Sequence, residues 1–168
     1  MSIVVNAGPM YASKTSLMLF IAAKLEREGK KYLVICHPWV AKDAVTTHDN
    51  KKIACQNDIP DDYLKYSHIL IDEVQFFENA WKICNQLRAA GIHVICFGLD
   101  MNFKGEPFLE MGLLMAVSDE VNKMRGTCAK CHTAPSTMSE RLNKGNKELV
   151  DIGAEDKYIP TCRSCHRV

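Results

Sequence analysis

The sequence predicts an α/β fold, in which a mostly parallel sheet of the phosphate-loop type is flanked by helices and followed by a small metal-binding module. Short apolar runs, continuous rather than alternating, are separated by helical segments, as expected for parallel strands buried on both faces. A glycine-to-lysine loop motif directly follows the first apolar run. Two Cys-x-x-Cys pairs lie in the last quarter of the chain.

The elements follow from apolar patterning and from the residues that end each run. The first part predicts a strand over 2–6, a helix over 14–28, a strand over 32–36, mostly loop over 37–66 and a strand over 68–71. The second part predicts a helix over 80–90, a strand over 92–97, a helix over 109–117 and a strand over 121–124. A boundary near Gly126 divides the chain into an α/β domain over 1–125 and a cysteine-bearing module over 126–168.

Composition excludes several classes of protein. With 168 residues, of which 47% are hydrophobic and 24% charged, the chain suits one compact domain with a small appendage and not a disordered segment. A net charge of +1 argues against a strongly cationic nucleic-acid binder. No apolar run approaches the ~18 residues of a membrane span, and no signal peptide is visible. We therefore expect a cytoplasmic protein whose eight cysteines are not disulfide-bonded.

The loop after the first predicted strand matches most of the phosphate-binding pattern G-x-x-x-x-G-K-[ST]. Its residues are Gly8, Pro9, Met10, Tyr11, Ala12, Ser13, Lys14 and Thr15. Backbone N–H groups and the helix N-terminus would face the phosphates, Lys14 would reach the β- and γ-phosphates, and the Thr15 hydroxyl would bind Mg²⁺. Ser13 replaces the second glycine, where a Cβ would crowd the phosphates or strain the backbone. The alternative is an ordinary Gly-Pro turn before a helix.

An acidic pair, Asp72 and Glu73, ends the third predicted strand. Phosphate-loop folds place a Mg²⁺-directed carboxylate at such a strand end, and a neighbouring glutamate can act as a base. Solvated acids at a strand end are the simpler interpretation of this pair alone. Because the carboxyl ends of parallel strands share one edge of the sheet, the pair and the loop together favour nucleotide binding.

The two cysteine pairs predict a structural zinc site. Its ligands would be the four thiolates of Cys128, Cys131, Cys162 and Cys165, the set that closed tetrahedral sites use. About 30 residues separate the pairs, more than in a compact zinc ribbon, so the metal would pin the two ends of a long loop. His132 or His166 could replace a cysteine ligand, and a redox Cys-x-x-Cys is a further alternative.

Taken together, these motifs resemble those of the type II thymidine kinases, which are tetrameric enzymes with a zinc-pinned lasso loop. The similarity extends from Gly8 to Cys165. Besides the loop and the cysteines, it rests on Thr47-His48-Asp49, on 71–77, on 94–100, on 103–108 and on 150–158.

The resemblance implies a reaction, its cofactors and its partners. ATP with Mg²⁺ would phosphorylate the 5′-hydroxyl of thymidine, or of deoxyuridine, to give the monophosphate in nucleotide salvage. Glu73 would be the catalytic base, with Thr15 and Asp72 holding Mg²⁺ and Gln75 in the nucleotide-binding segment. In this mechanism, Lys104 is a candidate for a second cation beside Lys14. The protein would carry structural zinc, form a homotetramer and accept thymidine triphosphate as a feedback inhibitor, with neither nucleic acid nor membrane as a partner.

The resemblance also implies a set of substrate-binding residues around the deoxyribose and the base. Four members of this set are aromatic: Phe76, Phe103 and Phe108 lie on loops that follow strand ends, and Tyr158 lies just before the second cysteine pair. Each of them alone is more readily a core residue. The lasso segment would read the base through its backbone. The full set is Met10, Phe76, Phe103, Phe108, Leu149, Val150, Asp151, Ile152, Gly153 and Tyr158.

Three positions depart from the family pattern, all on the side of the active site. They are Ser13, Asn50, which stands where many relatives carry an arginine, and Val74, which fills a usually small position. These departures leave open a nucleotide-binding pseudoenzyme or regulator with impaired transfer. A zinc-ribbon nucleic-acid binder is a third hypothesis, because basic residues outnumber acidic ones after residue 122, but the long loop holds too few aromatic residues for a stacking platform.

Overall fold

The computed structural model of the chain describes residues 1–39, 43–46, 52–143 and 157–168. The first half contains β1 (Ile3–Ala7), α1 (Lys14–Arg27), β2 (Tyr32–Cys36), β3 (Ala44–Thr46), β4 (Lys52–Ala54) and β5 (His68–Asp72). The second half contains α2 (Ala80–Ala89), β6 (His93–Gly98), α3 (Leu109–Val117), β7 (Glu120–Lys123), β8 (Met138–Arg141) and β9 (Tyr158–Thr161). Two 3₁₀ turns cover Tyr63–Lys65 and Val74–Phe76.

The main sheet has five strands in the order β2-β5-β6-β1-β7, and every neighbouring pair is parallel. Strand β6 lies between β5 and β1, so that Val94 pairs with both Ile69 and Ile3. This register brings the carboxyl ends of β1, β5 and β6 together at one edge. The predicted α/β fold with a mostly parallel sheet is therefore confirmed.

Helices cover both faces of the sheet, which explains why its strands, apart from the exposed edge strand β7, are largely apolar. On one face, Met18 and Ala22 of α1 pack with Val34, Leu70 and Phe97. On the other face, α2 and α3 supply Cys84, Leu87, Met111 and Leu114, which pack with β1, β5 and β6. Each buried aliphatic side chain stabilises the fold by about 1.5–3 kcal/mol relative to exposure, so these two layers hold the strand ends in place.

The segment 37–66 is more ordered than the predicted loop. Strands β3 and β4 form an antiparallel hairpin in which Val45 pairs with Ile53. Three-residue strands of mixed polarity carry no periodic signal, which is why the sequence did not indicate them. Cys36 and Cys55 form a disulfide that joins the end of β2 to this hairpin. The expectation that no cysteine is disulfide-bonded is wrong for this pair.

Strands β8 and β9 form a second antiparallel hairpin, which the sequence analysis did not predict. Its register pairs Met138 with Thr161 at one end and Arg141 with Tyr158 at the other. All four residues of β8 are buried, including Glu140 and Arg141. Because two of them are charged, the sequence shows no apolar run here. The division into domains 1–125 and 126–168 stays a prediction, and none of the helices described is long and apolar enough to cross a membrane.

Candidate active site and metal centre

The loop between β1 and α1 adopts a backbone conformation that glycine would adopt more easily. Ser13, the residue before the first residue of α1, has φ 58° and ψ 26°, and Tyr11 has φ 61°. The left-handed region costs a non-glycine residue about 1–2 kcal/mol. Ser13 therefore occupies the glycine position with the backbone strain that the sequence predicted. Its carbonyl accepts the first helical hydrogen bond of α1, from Leu17 N–H at 3.0 Å.

Gly8 is required at the start of this loop because the backbone of another segment approaches it closely. A Cβ on Gly8 would overlap the carbonyl of Met124, directly after β7. The Gly8 N–H donates to the Gly98 carbonyl at 3.2 Å, which continues the β1–β6 ladder beyond Ala7. The loop thus leaves the sheet from a fixed point between β6 and β7.

The side chain of Lys14 turns back onto its own loop and is buried. Its Nζ donates to the carbonyls of Pro9 at 2.7 Å and Gly8 at 3.2 Å. Burial lowers the pKa of Lys14 from its ordinary value, while Glu73, Asp72 and Asp100 act in the opposite direction, in that order. The Lys14 ammonium is therefore held by its own loop, near enough to three carboxylates for their charges to favour its protonated form.

Asp72 is the buried acid of the site, at the carboxyl end of β5. Removal from water, and then the neighbouring charge of Glu73, raise the pKa of Asp72 to about 7. The Glu73 N–H, which donates to Asp72 Oδ1 at 3.1 Å, and the charge of Lys14 act against that rise. A carboxyl held this far from water gains most from a bound cation. Asp72 is thus chemically suited to a divalent metal. Thr15, whose hydroxyl is the other predicted metal ligand, lines the same cavity as Glu73, the residue after Asp72.

Glu73 is fixed by its neighbour Gln75 in an unusual backbone conformation. Glu73 has φ 49°, and its Oε2 accepts a hydrogen bond from Gln75 Nε2 at 2.6 Å. Gln75 Oε1 in turn accepts from the Leu99 N–H at 3.0 Å. Gln75 is buried, and Gly98 makes room for its amide because a Cβ there would overlap Oε1. The sequence placed Gln75 in the nucleotide-binding segment, and the structure places it against the Glu73 carboxylate.

A cavity of about 170 Å³ joins the loop to the acidic strand end. Seven of its lining residues belong to the predicted site: Met10, Tyr11, Ala12, Ser13, Lys14, Thr15 and Glu73. Ser16, Thr46 and Leu99 also line it and were not predicted. Thr46 belongs to β3, which lies in the segment expected to be loop. The β3–β4 hairpin brings Thr46 to this cavity, and Thr46 was not predicted because that hairpin has no sequence signal.

The predicted aromatic residues form two groups rather than one wall. Phe76 contacts Phe108, with ring centroids 6.1 Å apart, and also lies near His37 at 5.8 Å and Trp39 at 5.9 Å. Neither His37 nor Trp39 was predicted as a site residue. Both follow the carboxyl end of β2, and the predicted phenylalanines were chosen because they also follow strand ends.

The second aromatic group is joined by Arg141. Its guanidinium carbon lies 3.9 Å from the Phe103 ring centroid, and its Nη2 donates to the Tyr158 hydroxyl at 2.6 Å. Sequence reasoning missed Arg141, because no local pattern marks a contact between residues so far apart in the chain.

Two further polar contacts complete the surroundings of the loop. The Met10 N–H donates to Ser139 Oγ at 2.9 Å, so β8 touches the phosphate loop directly. Asp100 accepts a hydrogen bond from Lys123 Nζ at 2.7 Å. It follows the carboxyl end of β6, much as Asp72 lies at the carboxyl end of β5, and this position in the sequence could have identified Asp100 as a site residue. The predicted residues 149–153 and Thr47-His48-Asp49 with Asn50 lie outside the described residues.

The four cysteines of the two pairs meet at one point. The sulfur atoms of Cys128, Cys131, Cys162 and Cys165 all lie within 4.8 Å of one another. Ligands around tetrahedral zinc, with Zn–S bonds of about 2.3 Å, lie about 3.8 Å apart, so the four sulfurs fit such an ion. The group contains neither His132 nor His166, and His166 Nδ1 lies 3.2 Å from Thr161 Oγ1. This cluster could hold a metal ion.

The parallel sheet, the loop that joins β1 to α1 and the acidic end of β5 define an α/β protein with a cluster of four cysteines. A family model described as Thymidine kinase matches residues 1–166. The chain is 33% identical over 170 residues to a thymidine kinase from Pseudothermotoga lettingae, with 95% of this chain and 91% of the relative covered. The chain therefore belongs to the thymidine kinase family, whose members are kinases that transfer phosphate to an alcohol.

Proposed function

We propose that the protein transfers the γ-phosphoryl group of ATP to the 5′-hydroxyl of thymidine, with deoxyuridine as a second acceptor, in nucleotide salvage. The observation that supports this most directly is the convergence of Lys14, Asp72 and Glu73 at the carboxyl ends of β1 and β5. A cation, a metal-directed acid and a base are the groups that phosphoryl transfer needs at one point.

The donor would bind along residues 8–15. Backbone N–H groups of the loop and the N-terminus of α1 favour anionic phosphates. Lys14 would exchange the carbonyls of Gly8 and Pro9 for phosphate oxygens, an exchange favoured because a charged acceptor forms a stronger hydrogen bond than a neutral carbonyl does. Mg²⁺, held by the Thr15 hydroxyl and Asp72, would neutralise phosphate charge when bound.

Glu73 would act as the general base. As the bond between O5′ and the γ-phosphorus forms, the bond from that phosphorus to the ADP oxygen breaks, and the 5′-hydroxyl proton passes to the Glu73 carboxylate. ADP leaves with the electron pair of the broken bond. Gln75 would hold Oε2 of Glu73 so that the other carboxylate oxygen is directed to the acceptor.

The acceptor would bind between the aromatic groups described above. Phe76, Phe103, Phe108 and Tyr158 would enclose the base and the deoxyribose, with Met10 from the phosphate loop and residues 149–153 completing the contacts. We further propose that the cysteine cluster holds structural zinc, that the enzyme is a homotetramer and that thymidine triphosphate is a feedback inhibitor. Family membership supports these proposals.

The proposal is tested by a product assay. Purified protein with Mg²⁺ and ATP is given thymidine, deoxyuridine, deoxycytidine or no nucleoside, and the products are separated by chromatography. We expect thymidine monophosphate from the wild type and a loss of about 10²- to 10⁴-fold in the Glu73→Gln variant, because general-base catalysis contributes about that much. Near-normal turnover in Glu73→Gln would overturn the assignment of the base.

A nucleotide-binding protein with impaired transfer is the second candidate function. The Cβ of Ser13 at a glycine position and the hydrogen bonds of Lys14 within its own loop favour it, because the Cβ would crowd the phosphates and the hydrogen bonds must break before Lys14 reaches them. Tight binding of ATP by the folded, metal-loaded wild type without any nucleoside monophosphate would support this candidate. Product formation would exclude it.

A further inference from the structure

Arg141 is a buried cation that no step of the proposed reaction uses. Its side chain belongs to the last residue of β8 and is only 3% exposed. Burial of a guanidinium is costly unless the group is well partnered. Among its contacts, Nε and Nη2 both donate to the Tyr158 hydroxyl, at 3.1 Å and 2.6 Å, and the guanidinium carbon lies 3.9 Å from the Phe103 ring centroid.

Phe103 and Tyr158, which Arg141 joins, belong to separate parts of the fold. Tyr158 is the cross-strand partner of Arg141 in the β8–β9 hairpin, at the end where the chain leaves β8 and later enters β9. Beyond this pair, the Leu142 N–H donates to the Lys157 carbonyl at 2.8 Å. The Tyr158 backbone is therefore fixed relative to Arg141 by the hairpin, and the side-chain hydrogen bonds fix its ring.

Phe103 is carried by a tight turn between β6 and α3. Asn102 Oδ1 accepts from the backbone N–H groups of Lys104 at 2.9 Å and Glu106 at 3.1 Å. The Asn102 N–H donates to the Glu106 carbonyl at 2.9 Å, and Gly105 supplies the positive φ of 81° that this turn needs. This turn presents Phe103 from the main sheet, whereas Tyr158 comes from the cysteine-bearing part of the chain.

We propose that Arg141 is a positioning residue for the acceptor nucleoside: by lying over Phe103 and holding the Tyr158 hydroxyl, it sets the spacing of two aromatic rings that enclose the acceptor. This inference rests on the proposed function. A planar guanidinium can cover a ring with its face while its edge donates two hydrogen bonds, which a lysine ammonium cannot do. The Arg141→Lys variant keeps the charge and loses this geometry.

The test compares Arg141→Lys with Arg88→Lys as a matched control. Arg88 also donates a hydrogen bond, to Asn85, and forms an ion pair with Asp119, but it lies on α2 away from the acceptor pocket. We expect Arg141→Lys to raise the KM for thymidine about ten-fold, the effect of losing one well-formed contact. The KM for ATP and the metal content should stay close to the values of Arg88→Lys, whereas the melting temperature should be lower, because Arg141 is buried and Arg88 is part-exposed.

A second variant keeps the inference testable if Arg141→Lys folds poorly. Tyr158→Phe removes only the hydroxyl that Arg141 holds, and it should raise the KM for thymidine in the same way. Combined with Arg141→Lys, it should add little further, because Arg141→Lys already breaks the hydrogen bonds that the Tyr158 hydroxyl accepts. Equal changes in the KM for ATP and for thymidine, or additive effects of the two variants, would overturn the positioning role.

The wild type separates failure of this inference from failure of the proposed function. A folded, metal-loaded wild type that neither binds nor phosphorylates thymidine would overturn the proposed function and, with it, this inference. A wild type that phosphorylates thymidine, with a thymidine KM unchanged in Arg141→Lys and in Tyr158→Phe, would overturn this inference alone.

Discussion

Three residues of the candidate site adopt backbone conformations that residues other than glycine seldom adopt. Tyr11, Ser13 and Glu73 have φ angles of 61°, 58° and 49°. Each such residue costs about 1–3 kcal/mol, which the packing of the sheet must offset. In return, the Glu73 carboxylate is directed at the cavity and Ser13 places the N-terminus of α1 beside the loop. At these three positions, the backbone conformation that the site needs lowers the stability of the folded protein.

Burial of the Asp72 carboxyl also lowers the stability of the folded protein, by an amount that depends on pH. The pKa of this carboxyl rises from 3.8 to about 7 on folding, because it is buried and lies beside Glu73. Well below pH 3.8 the group is neutral in both the folded and the unfolded protein, and it has no effect on stability. As pH rises from 4 to 7, ionisation favours the unfolded protein, so the free energy of unfolding falls by up to about 4 kcal/mol.

We therefore predict that Asp72→Asn stabilises the metal-free protein at pH 8 and has little effect near pH 4, while it abolishes phosphoryl transfer. Asparagine keeps the oxygen that accepts the Glu73 N–H. Thermal unfolding in a chelator across this pH range measures the change, and Asp61→Asn at an exposed position is the control. A stabilisation of equal size at pH 4 and pH 8 would contradict the prediction.

At the scale of the elements, Gly98 decides how the end of β6 meets the 3₁₀ turn after β5. A Cβ at this position would overlap Gln75 Oε1 and lie 2.7 Å from Met111 Cε. The methionine can move, whereas movement of Gln75 breaks its hydrogen bonds to Glu73 and to Leu99 N–H. The backbone of one strand thus determines the position of the Glu73 carboxylate, the proposed base, at the end of its neighbour.

We predict that Gly98→Ala lowers kcat about ten-fold or more and destabilises the protein by about 1–3 kcal/mol, the usual cost of overpacking. Gly112→Ala is the matched control, because no atom lies within 4 Å of its Cβ position in α3. That variant should gain about 0.5–1 kcal/mol from helix propensity and keep its activity. Steady-state kinetics and thermal unfolding of both variants check this, and equal kcat values would contradict it.

The length and polarity of each helix and strand explain which elements could be predicted from the sequence. Strand β2 and helix α3 have the predicted bounds, because their apolar runs are long and end at clear breaks. The hairpins β3–β4 and β8–β9 were missed, since their strands have three or four residues and β8 buries Ser139, Glu140 and Arg141. Lys14, Asp72 and Glu73 belong to short sequence motifs and could be predicted as site residues. Arg141 and Thr46 could not, because hairpins without a sequence signal bring them to the site.

At the scale of the whole molecule, the cysteine cluster lies at the base of the hairpin that touches the phosphate loop. The Ala129 N–H donates to the Pro160 carbonyl at 2.8 Å, and Thr137 N–H donates to the Thr161 carbonyl at 2.9 Å, so the segments that carry both cysteine pairs are tied to the hairpin. From that hairpin, Ser139 reaches the Met10 N–H and Arg141 reaches Phe103. A metal ion in the cluster would therefore hold two contacts of the active site in place.

We predict that removal of the metal with a chelator raises the KM for thymidine strongly and lowers the melting temperature, because binding at such a site is coupled to local folding. The parallel sheet has its own core of apolar side chains, so most far-ultraviolet circular dichroism should remain. Cys162→Ser should reproduce the loss, whereas Cys84→Ser, a buried cysteine on α2 outside the cluster, should keep its metal and its KM. A metal-free protein with an unchanged KM for thymidine would contradict the coupling between the metal site and the acceptor site. Recovery of the KM when Zn²⁺ is added back would show that zinc is sufficient to restore thymidine binding.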